Sequence, residues 1–195
     1  MRSCDLKIFT KIPTLETERL ILRRIMPSDA EDVYSYSSDP AVSHQLLWHP
    51  HTSRQQTRDY LKLVDKKYKQ GQFWDFGVVI KEDLRFIGTV GFTSFDLYNN
   101  SAEIGYVLSS LYWGRGLAAE AARAVITFGF EVLGLNRIEA RFTVENARSR
   151  RVLKKCGMTF EGVEREGMLI KGEYRNIEIY SILKSDYKKL TEKGI

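Results

Sequence analysis

The chain has 195 residues and a formal net charge of +5, a length that suffices for one well-buried core but is short for two domains. Its composition, 43% hydrophobic and 28% charged, is typical of a globular protein and excludes a disordered chain. No apolar run is long enough to cross a membrane, and residues 1–11 mix apolar with charged side chains. We therefore expect no membrane segment and no signal peptide, and we expect a cytoplasmic protein. The positive charge suits a polyanionic ligand, and we expect no direct binding to nucleic acid.

Hydrophobic periodicity divides the chain into alternating strands and helices. In chain order it predicts a strand over 19–25, a helix that ends at 39–40, a loop over 43–52, a helix over 52–70, strands over 73–80, 86–95 and 103–108, a helix from about 117, a strand over 137–144, a short helix after 146, and strands over 159–169 and 174–183. The helix between the strands at 103–108 and 137–144 supplies a crossover, which makes these two strands parallel neighbours.

The predicted elements indicate a single α/β domain over residues 1–195, with a core over about 13–185. Its central sheet is expected to contain about seven strands, mostly antiparallel, with about four flanking helices. Residues 1–12 and 186–195 are expected to be tails, and the charged stretch from Lys188 to be frayed.

A glycine-bearing loop connects the strand at 103–108 to the following helix and reads Trp113-Gly114-Arg115-Gly116-Leu117. N–H groups in the first turn of a helix lack internal acceptors and sit at the positive end of the helix dipole, so such a loop can bind a phosphate through its backbone. Gly114 and Gly116 permit close approach of an anion because they carry no Cβ atom. Two alternatives stay open from the loop alone: an ordinary strand-to-helix turn, and a dinucleotide-binding loop with Glu145 as the acid that binds ribose.

The helix that follows the next strand adds a second motif, because Asn146 stands at its predicted cap and Gly157 at its end. Together with the loop, this arrangement resembles the GNAT superfamily of N-acetyltransferases. In that family the glycine loop binds the pyrophosphate of acetyl-CoA, and an Asn that opens the next helix contacts the pantetheine arm. Trp113 stands where Arg or Gln is usual, and this departure is similar to the branch that acetylates the N termini of ribosomal proteins. The similarity extends to residues 15–24 and 172–174, so it covers nearly the whole chain.

The resemblance implies a GNAT-like fold in which the central parallel pair of strands splays apart around the pantetheine arm. It implies acetyl-CoA as co-substrate and no metal. The residues that it assigns to acetyl-CoA are Val107, Leu108, Trp113, Gly114, Arg115, Gly116, Leu117, Ala118, Ala119, Asn146 and Ser149.

Acetyl transfer to an amine needs a neutral amine and a proton for the departing thiolate. Many members of the family carry a Tyr for that proton late in the helix that follows the capping Asn, and the matching residue is Leu153. In the ribosomal-protein branch a serine at the place of Ser149 is proposed as the acid, so Ser149 is our candidate; alternatively it only caps the helix. Glu103 and Glu166 are the candidate bases, and each is alternatively a structural acceptor.

The branch resemblance implies transfer to the N-terminal α-amine of a protein, such as a ribosomal protein. A small amine (a polyamine, an amino acid or an aminoglycoside) is an alternative acceptor, and a non-catalytic acetyl-CoA-binding module is an alternative function. In the family, substrate-lining loops occupy the region of Trp48, so Trp48 is the candidate substrate contact; alternatively its ring anchors a surface loop. We expect a monomer or a homodimer.

Cysteine and histidine usage favours no metal site and no disulfide. Cys4 and Cys156 are too few for a disulfide framework, and we interpret Cys156 as a small core residue, with an acyl-carrying nucleophile as the alternative. His44, His49 and His51 crowd one segment, but no carboxylate or cysteine completes a set of metal ligands at the usual spacing.

Overall fold

A computed structural model of the chain describes residues 6–192. This part forms one eight-stranded sheet, six α-helices and three short 3-10 helices. The strands are β1 (Leu15–Glu16), β2 (Leu20–Arg23), β3 (Asp75–Ile80), β4 (Phe86–Asp96), β5 (Ser101–Leu108), β6 (Arg137–Thr143), β7 (Thr159–Ile170) and β8 (Glu173–Leu183). The α-helices are α1 (Ala30–Ser37), α2 (Pro40–Ser43), α3 (Arg54–Lys69), α4 (Leu117–Glu131), α5 (Ala147–Lys155) and α6 (Lys184–Glu192). No described helix is both long enough and apolar enough to cross a membrane.

The sheet has the strand order β1-β2-β3-β4-β5-β6-β8-β7, and β5 and β6 are its parallel pair. These two strands pair through Ser101–Glu103 of β5 alone, although β5 continues to Leu108. Beyond Glu103 the strands diverge and leave a gap whose edges carry backbone groups without a strand partner. The prediction of a mostly antiparallel sheet with a splayed central parallel pair is therefore confirmed.

The two faces of the sheet bury separate clusters of side chains, because successive residues of a strand point to opposite faces. On one face, Ile104 of β5 packs in a cluster with Val125 of α4. On the other face, Val107 of β5 packs against a cluster that contains Val33 of α1 and Val64 of α3. The middle of the sheet is thus covered on both sides, and the gap between β5 and β6 joins the two sides.

The structure differs from the prediction mainly at the ends of the chain. The short strand β1 and the helices α2 and α6 add to the predicted element count. Phe9 is fully buried in the cluster on the α4 face, so the packed part of the molecule begins before residue 13. Helix α6 continues to Glu192 and packs Leu190 against the same cluster, so the frayed tail predicted from Lys188 was wrong for residues 188–192. Residues 1–5, including Cys4, and residues 193–195 lie outside the described range.

Candidate active site

A cleft of about 530 Å³ opens beside the end of β5. Its walls come from β5, the loop and first turn of α4, α5, and the segment that includes α2. Ten of the residues assigned to acetyl-CoA line this cleft: Val107, Leu108, Trp113, Gly114, Gly116, Leu117, Ala118, Ala119, Asn146 and Ser149. Arg115 does not line it, and its guanidinium group instead lies 5.1 Å from the ring centre of Tyr112.

The glycine loop presents a row of free backbone donors to the cleft. Gly114 and Gly116 have φ values of +79° and +80°, a left-handed conformation that favours glycine. Within the described chain, no N–H group of residues 114–119 donates a hydrogen bond, and the first bonded amide is that of Glu120, to the Gly116 carbonyl at 3.1 Å. A Cβ atom on Gly114 would meet nothing within 4 Å. The loop therefore leaves open space in front of unpaired donors, which is what a bound phosphate needs.

Contacts from the start of the sheet hold this loop in place. Arg19 donates from Nη1 to the Arg115 carbonyl at 3.0 Å and from Nε to Glu120 Oε2 at 2.7 Å. Thr17 Oγ1 donates to Glu120 Oε1 at 2.6 Å. Burial opposes ionisation of Glu120, but these donors outweigh burial and lower its pKa. Two residues near the start of the chain, Thr17 and Arg19, thus fix the conformation of the loop. They bind partners that lie 96 to 103 residues later in the sequence.

Trp113, which stands where Arg or Gln is usual, makes two contacts through its indole ring. Its indole Nε1 donates to the Leu108 carbonyl at 2.9 Å, which ties the loop back to the end of β5. The guanidinium of Arg148 lies 4.1 Å from the Trp113 ring centre, so the indole face carries a cation at the mouth of the cleft. Arg151 and Lys155 also line the cleft. These three basic residues were not predicted as site residues, although their helical spacing on α5 indicates that they share one face of the helix.

The start of α5 places a hydroxyl group on the cleft wall. Asn146 Oδ1 accepts a hydrogen bond from the Ser149 amide at 3.1 Å, so Asn146 caps α5 as predicted. No described backbone amide donates to the Ser149 hydroxyl, so the cap role belongs to Asn146. Tyr106 Oη donates to the Ser149 carbonyl at 3.3 Å; burial raises the pKa of Tyr106 and outweighs the opposing interaction with the Ser149 side chain. Tyr106 was not predicted as a site residue, although alternation places it on the same face as Ile104 and Leu108.

The sequence profile of the acetyltransferase (GNAT) domain matches residues 19–159 of the chain. The chain belongs to the GNAT acetyltransferase family. It is 38% identical over 174 residues to an uncharacterized N-acetyltransferase, p20, of Bacillus licheniformis, a match that covers 89% of this chain and 98% of the relative. The protein is therefore an N-acetyltransferase, and GNAT acetyltransferases use acetyl-CoA.

More distant relatives act on different amines. The chain is 26% identical to the ribosomal protein uS5 alanine N-acetyltransferase of Escherichia coli, over 89% of this chain and 92% of that enzyme. It is 27% identical to the spermidine N(1)-acetyltransferase of the same organism, over 84% and 87% of the two chains. Among solved structures, a GNAT-family acetyltransferase from Bacillus anthracis superposes with a TM-score of 0.79 at 29% identity, over 89% of this chain and 99% of that one. Family membership therefore leaves the acceptor open.

Leu153 of α5 and Cys156, which directly follows α5, face the core rather than the cleft. Leu153 is 1% exposed, so the position where many GNAT enzymes carry a Tyr holds a packing residue. The Cys156 thiol contacts the Ala119 carbonyl at 3.6 Å, and burial raises its pKa to about 12. A thiol that stays protonated is a poor nucleophile, which favours the interpretation of Cys156 as a core residue.

The two candidate bases occupy different surroundings. Glu103 lies at the last β5–β6 pair, where the gap begins; burial raises its pKa and outweighs the opposing effects of Thr93 and Arg141. A raised pKa brings a carboxylate closer to the range that a general base needs. Glu166 is exposed on an irregular part of β7, with φ of +53°, and its amide donates to Asn176 Oδ1 at 2.8 Å. Neither residue lines the cleft, and only Glu103 lies on a strand that does.

Trp48 packs against the cluster of buried residues between the sheet and the helices α1 and α3, and it does not line the cleft. Its ring centre lies 5.9 Å from that of His51. His51 Nδ1 lies 2.9 Å from Ser37 Oγ and 2.8 Å from Thr57 Oγ1, and burial lowers its pKa, so it serves as a neutral structural link. Within residues 6–192, no group of three or more His, Cys, Asp or Glu side chains is placed to hold a metal.

Proposed function

We propose that the protein transfers the acetyl group of acetyl-CoA directly to the N-terminal α-amine of a protein, such as a ribosomal protein. The observation that carries the transfer is the row of unpaired N–H groups at residues 114–119, which lies in one cleft with the Ser149 hydroxyl. The first can hold the phosphates of the donor, and the second can supply a proton close to the same cleft. The uS5 alanine N-acetyltransferase relative supports the choice of acceptor.

Each chemical requirement has a residue of this chain to meet it. The loop and the basic residues of α5, Arg148 and Arg151, bind the phosphates, and backbone groups at Val107 and Leu108 position the thioester beside the gap. The amine nitrogen forms a bond to the thioester carbonyl carbon, the carbon–sulfur bond breaks, and Ser149 donates a proton to the departing thiolate. Glu103 removes the amine proton, directly or through water. An α-amine has a pKa of about 8, so a useful fraction of it is already neutral near pH 7 and needs no base.

The test is release of free thiol from acetyl-CoA in the presence of a panel of acceptors, with the products identified by mass. The panel contains peptides with free Ala, Ser or Met N termini, the same peptides with blocked N termini and one internal Lys, and small amines. We expect acetylation at the α-amine of the free peptides and none of the blocked ones. Exclusive acetylation of small amines would overturn the proposed acceptor but leave the transfer reaction. Saturable binding of acetyl-CoA without thiol release from any member of the panel would overturn the reaction itself.

A further inference from the structure

Asp75 begins a row of residues that leads across the sheet to the gap. Its register partner on β4 is Gly91, and the partner of Gly91 on β5 is Gly105. Directly paired residues of antiparallel strands point to the same face, so these three share the face on which α1 and α3 pack. Gly105 lies two residues beyond Glu103, in the part of β5 that has separated from β6.

One small side chain, that of Thr93, stands between the carboxylate and the gap. Asp75 Oδ1 lies 2.5 Å from the point that a Cβ atom on Gly91 would occupy, and the Asp75 Cα atom lies 2.3 Å from the same point, so the carboxylate lies over Gly91. Above Gly105, the methyl group of Thr93 is the single neighbour that such an atom would meet within 4 Å among the described residues, and Thr93 is exposed. The row therefore carries only the exposed Thr93 side chain between the carboxylate and the separated part of β5.

The Asp75 carboxylate has no counter-charge. In the described part of the chain, no donor forms a hydrogen bond or an ion pair with it; the Tyr68 hydroxyl donates at 2.6 Å to its backbone carbonyl instead. The titratable groups that face it are the phenols of Tyr36 on α1 and of Tyr60 and Tyr68 on α3, whose pKa values are raised by burial. Burial also raises the pKa of Asp75 to about 7. A partly buried carboxylate without a partner is unfavourable in its charged form, and a bound cation would offset that cost.

Aromatic rings continue from this carboxylate to the segment that contains Trp48. The ring centres of Tyr60 and His51 are 5.9 Å apart, and those of His51 and Trp48 are also 5.9 Å apart. Tyrosine and tryptophan faces attract ammonium and guanidinium groups. The carboxylate thus lies on the same face of the sheet as a group of aromatic rings, and this combination suits an organic cation.

We propose that Asp75 binds a second cationic group of the acceptor while the acceptor's reacting amine lies at the gap between β5 and β6. Neighbouring strands lie about 4.8 Å apart, so the carboxylate over Gly91 and the gap beyond Gly105 are separated by roughly 5–10 Å. The acceptor is therefore a primary amine with a second positive charge at that distance. A diamine or polyamine and a peptide with Lys or Arg next to its N terminus share this chemistry. The inference rests on the proposed acetyl transfer in the adjoining cleft.

The test compares acceptors that differ only in the second charge, in the wild-type enzyme and in Asp75→Asn. The pairs are 1,4-diaminobutane with butylamine, and the amidated peptide Ala-Lys-Ala with Ala-Leu-Ala. The wild type should prefer the dication of at least one pair by about tenfold in kcat/KM, the worth of one charge-assisted hydrogen bond, and the better pair distinguishes the small amine from the peptide. Asp75→Asn should bring that ratio close to one, and Asp75→Glu should restore part of it. Glu82→Gln, in the exposed turn before β4, is the control and should leave the ratio unchanged.

The pH dependence of the same ratio separates a charge effect from a structural one. The second amine of each dication stays protonated between pH 6 and 8, and any titration of the reacting amine is shared by the two members of a pair. A rise in the wild-type ratio over this range therefore follows the ionisation of Asp75, whose pKa is about 7. The ratio should not change with pH in Asp75→Asn. Equal ratios in the wild type and in Asp75→Asn would overturn the inference.

Calorimetric titration with 1,4-diaminobutane and with Ala-Lys-Ala distinguishes this failure from failure of the proposed reaction. Loss of binding in Asp75→Asn upholds the cation site even if no acceptor releases thiol. Retention of wild-type binding by that variant overturns the site whatever the turnover.

Discussion

Ser149 and Tyr106 bring hydroxyl groups to the cleft, where α5 lacks the Tyr that many relatives carry. Leu153 fills the core at that position, while Tyr106 brings a phenol to the cleft from the neighbouring strand and contacts Ser149. Burial raises the pKa of the phenol, which therefore keeps its proton. We propose that Ser149, whose amide binds Asn146 and whose carbonyl binds Tyr106, takes the role that a Tyr has in many relatives.

The first prediction concerns Ser149→Ala. General acid catalysis contributes about 10²–10⁴-fold, so kcat should fall by at least about a hundredfold while the Kd for acetyl-CoA changes less than about twofold. Steady-state thiol release and calorimetry measure the two quantities. Ser185→Ala, on the exposed side of α6, is the matched control and should keep both values. Turnover of Ser149→Ala at the wild-type rate would remove Ser149 as the acid, and a parallel loss of affinity would make it a binding residue.

Residues of local motifs could be identified from the sequence, whereas residues placed by register could not. Gly114, Gly116 and Asn146 were found because the loop and the cap depend on a few consecutive residues. Asp75 was not found, because its place follows from two successive strand pairings, to Gly91 and then to Gly105. Alternation within β3 alone shows which face Asp75 occupies but not which residues lie opposite it.

At the scale of elements, the conformation of the glycine loop depends on residues that are distant in sequence. Strand β5 ends at Leu108, whose carbonyl is held by Trp113, and α4 begins at Leu117 with Glu120 bound to Thr17 and Arg19. The sequence predicted the strand, the loop and the helix from periodicity and glycine. The anchoring by the segment before β2 was not predictable, because a surface Arg and a Glu about a hundred residues apart carry no pairing signal.

The second prediction compares two glycines in the same backbone conformation. Gly114 and Gly134 have φ values of +79° and +70°, and a Cβ atom on either would meet nothing within 4 Å. Alanine at each should therefore destabilise the fold similarly, by about 1 kcal/mol, because of left-handed backbone strain. Gly114 alone faces the cleft, where the added methyl group would keep a phosphate from the loop amides.

We therefore expect Gly114→Ala to raise the Kd for acetyl-CoA by at least about tenfold, the cost of one or two weakened charge-assisted hydrogen bonds. Gly134→Ala should leave that Kd unchanged. Calorimetry gives the affinities, and thermal unfolding checks that the two variants are equally stable. Equal affinities in the two variants would show that the loop amides do not bind the donor.

On the scale of the whole molecule, the sheet separates the side that we assign to acetyl-CoA from the side that we assign to the acceptor. The glycine loop, α4 and α5 border one cluster of buried residues, and α1 and α3 cover the other. The gap between β5 and β6 is the place where the two sides meet, and Asp75, two strands away on β3, lies on the side opposite to Ile104 and α4. The parallel pair that borders this gap could be predicted from the crossover helix between its two strands. The packing of both chain ends against the core could not be predicted.

The N-terminal segment contributes to the core although its sequence resembles a charged tail. Phe9 is fully buried, and its ring centre lies 6.4 Å from that of Phe76 on β3 and 6.0 Å from that of Phe128 on α4. The 3-10 helix over Leu6–Lys11 is too short to show the periodicity that marks an amphipathic element. One aromatic side chain, rather than a pattern, therefore fixes this segment to the molecule.

The last prediction follows from that contact. Phe9→Ala should lower the free energy of unfolding by about 3–5 kcal/mol, since it removes a fully buried ring and leaves a cavity between β3 and α4. Lys11→Ala, an exposed position of the same short helix, should change it by less than about 0.5 kcal/mol. Urea unfolding of both variants gives the values. Similar stability of the two variants would mean that residues 6–11 are dispensable and that the core begins near residue 13, as the sequence alone suggested. A selective loss in Phe9→Ala would instead make the segment before β1 an integral part of the acetyltransferase fold, because Phe9 lies in the cluster that β3 and α4 share, and the first turn of α4 lines the cleft.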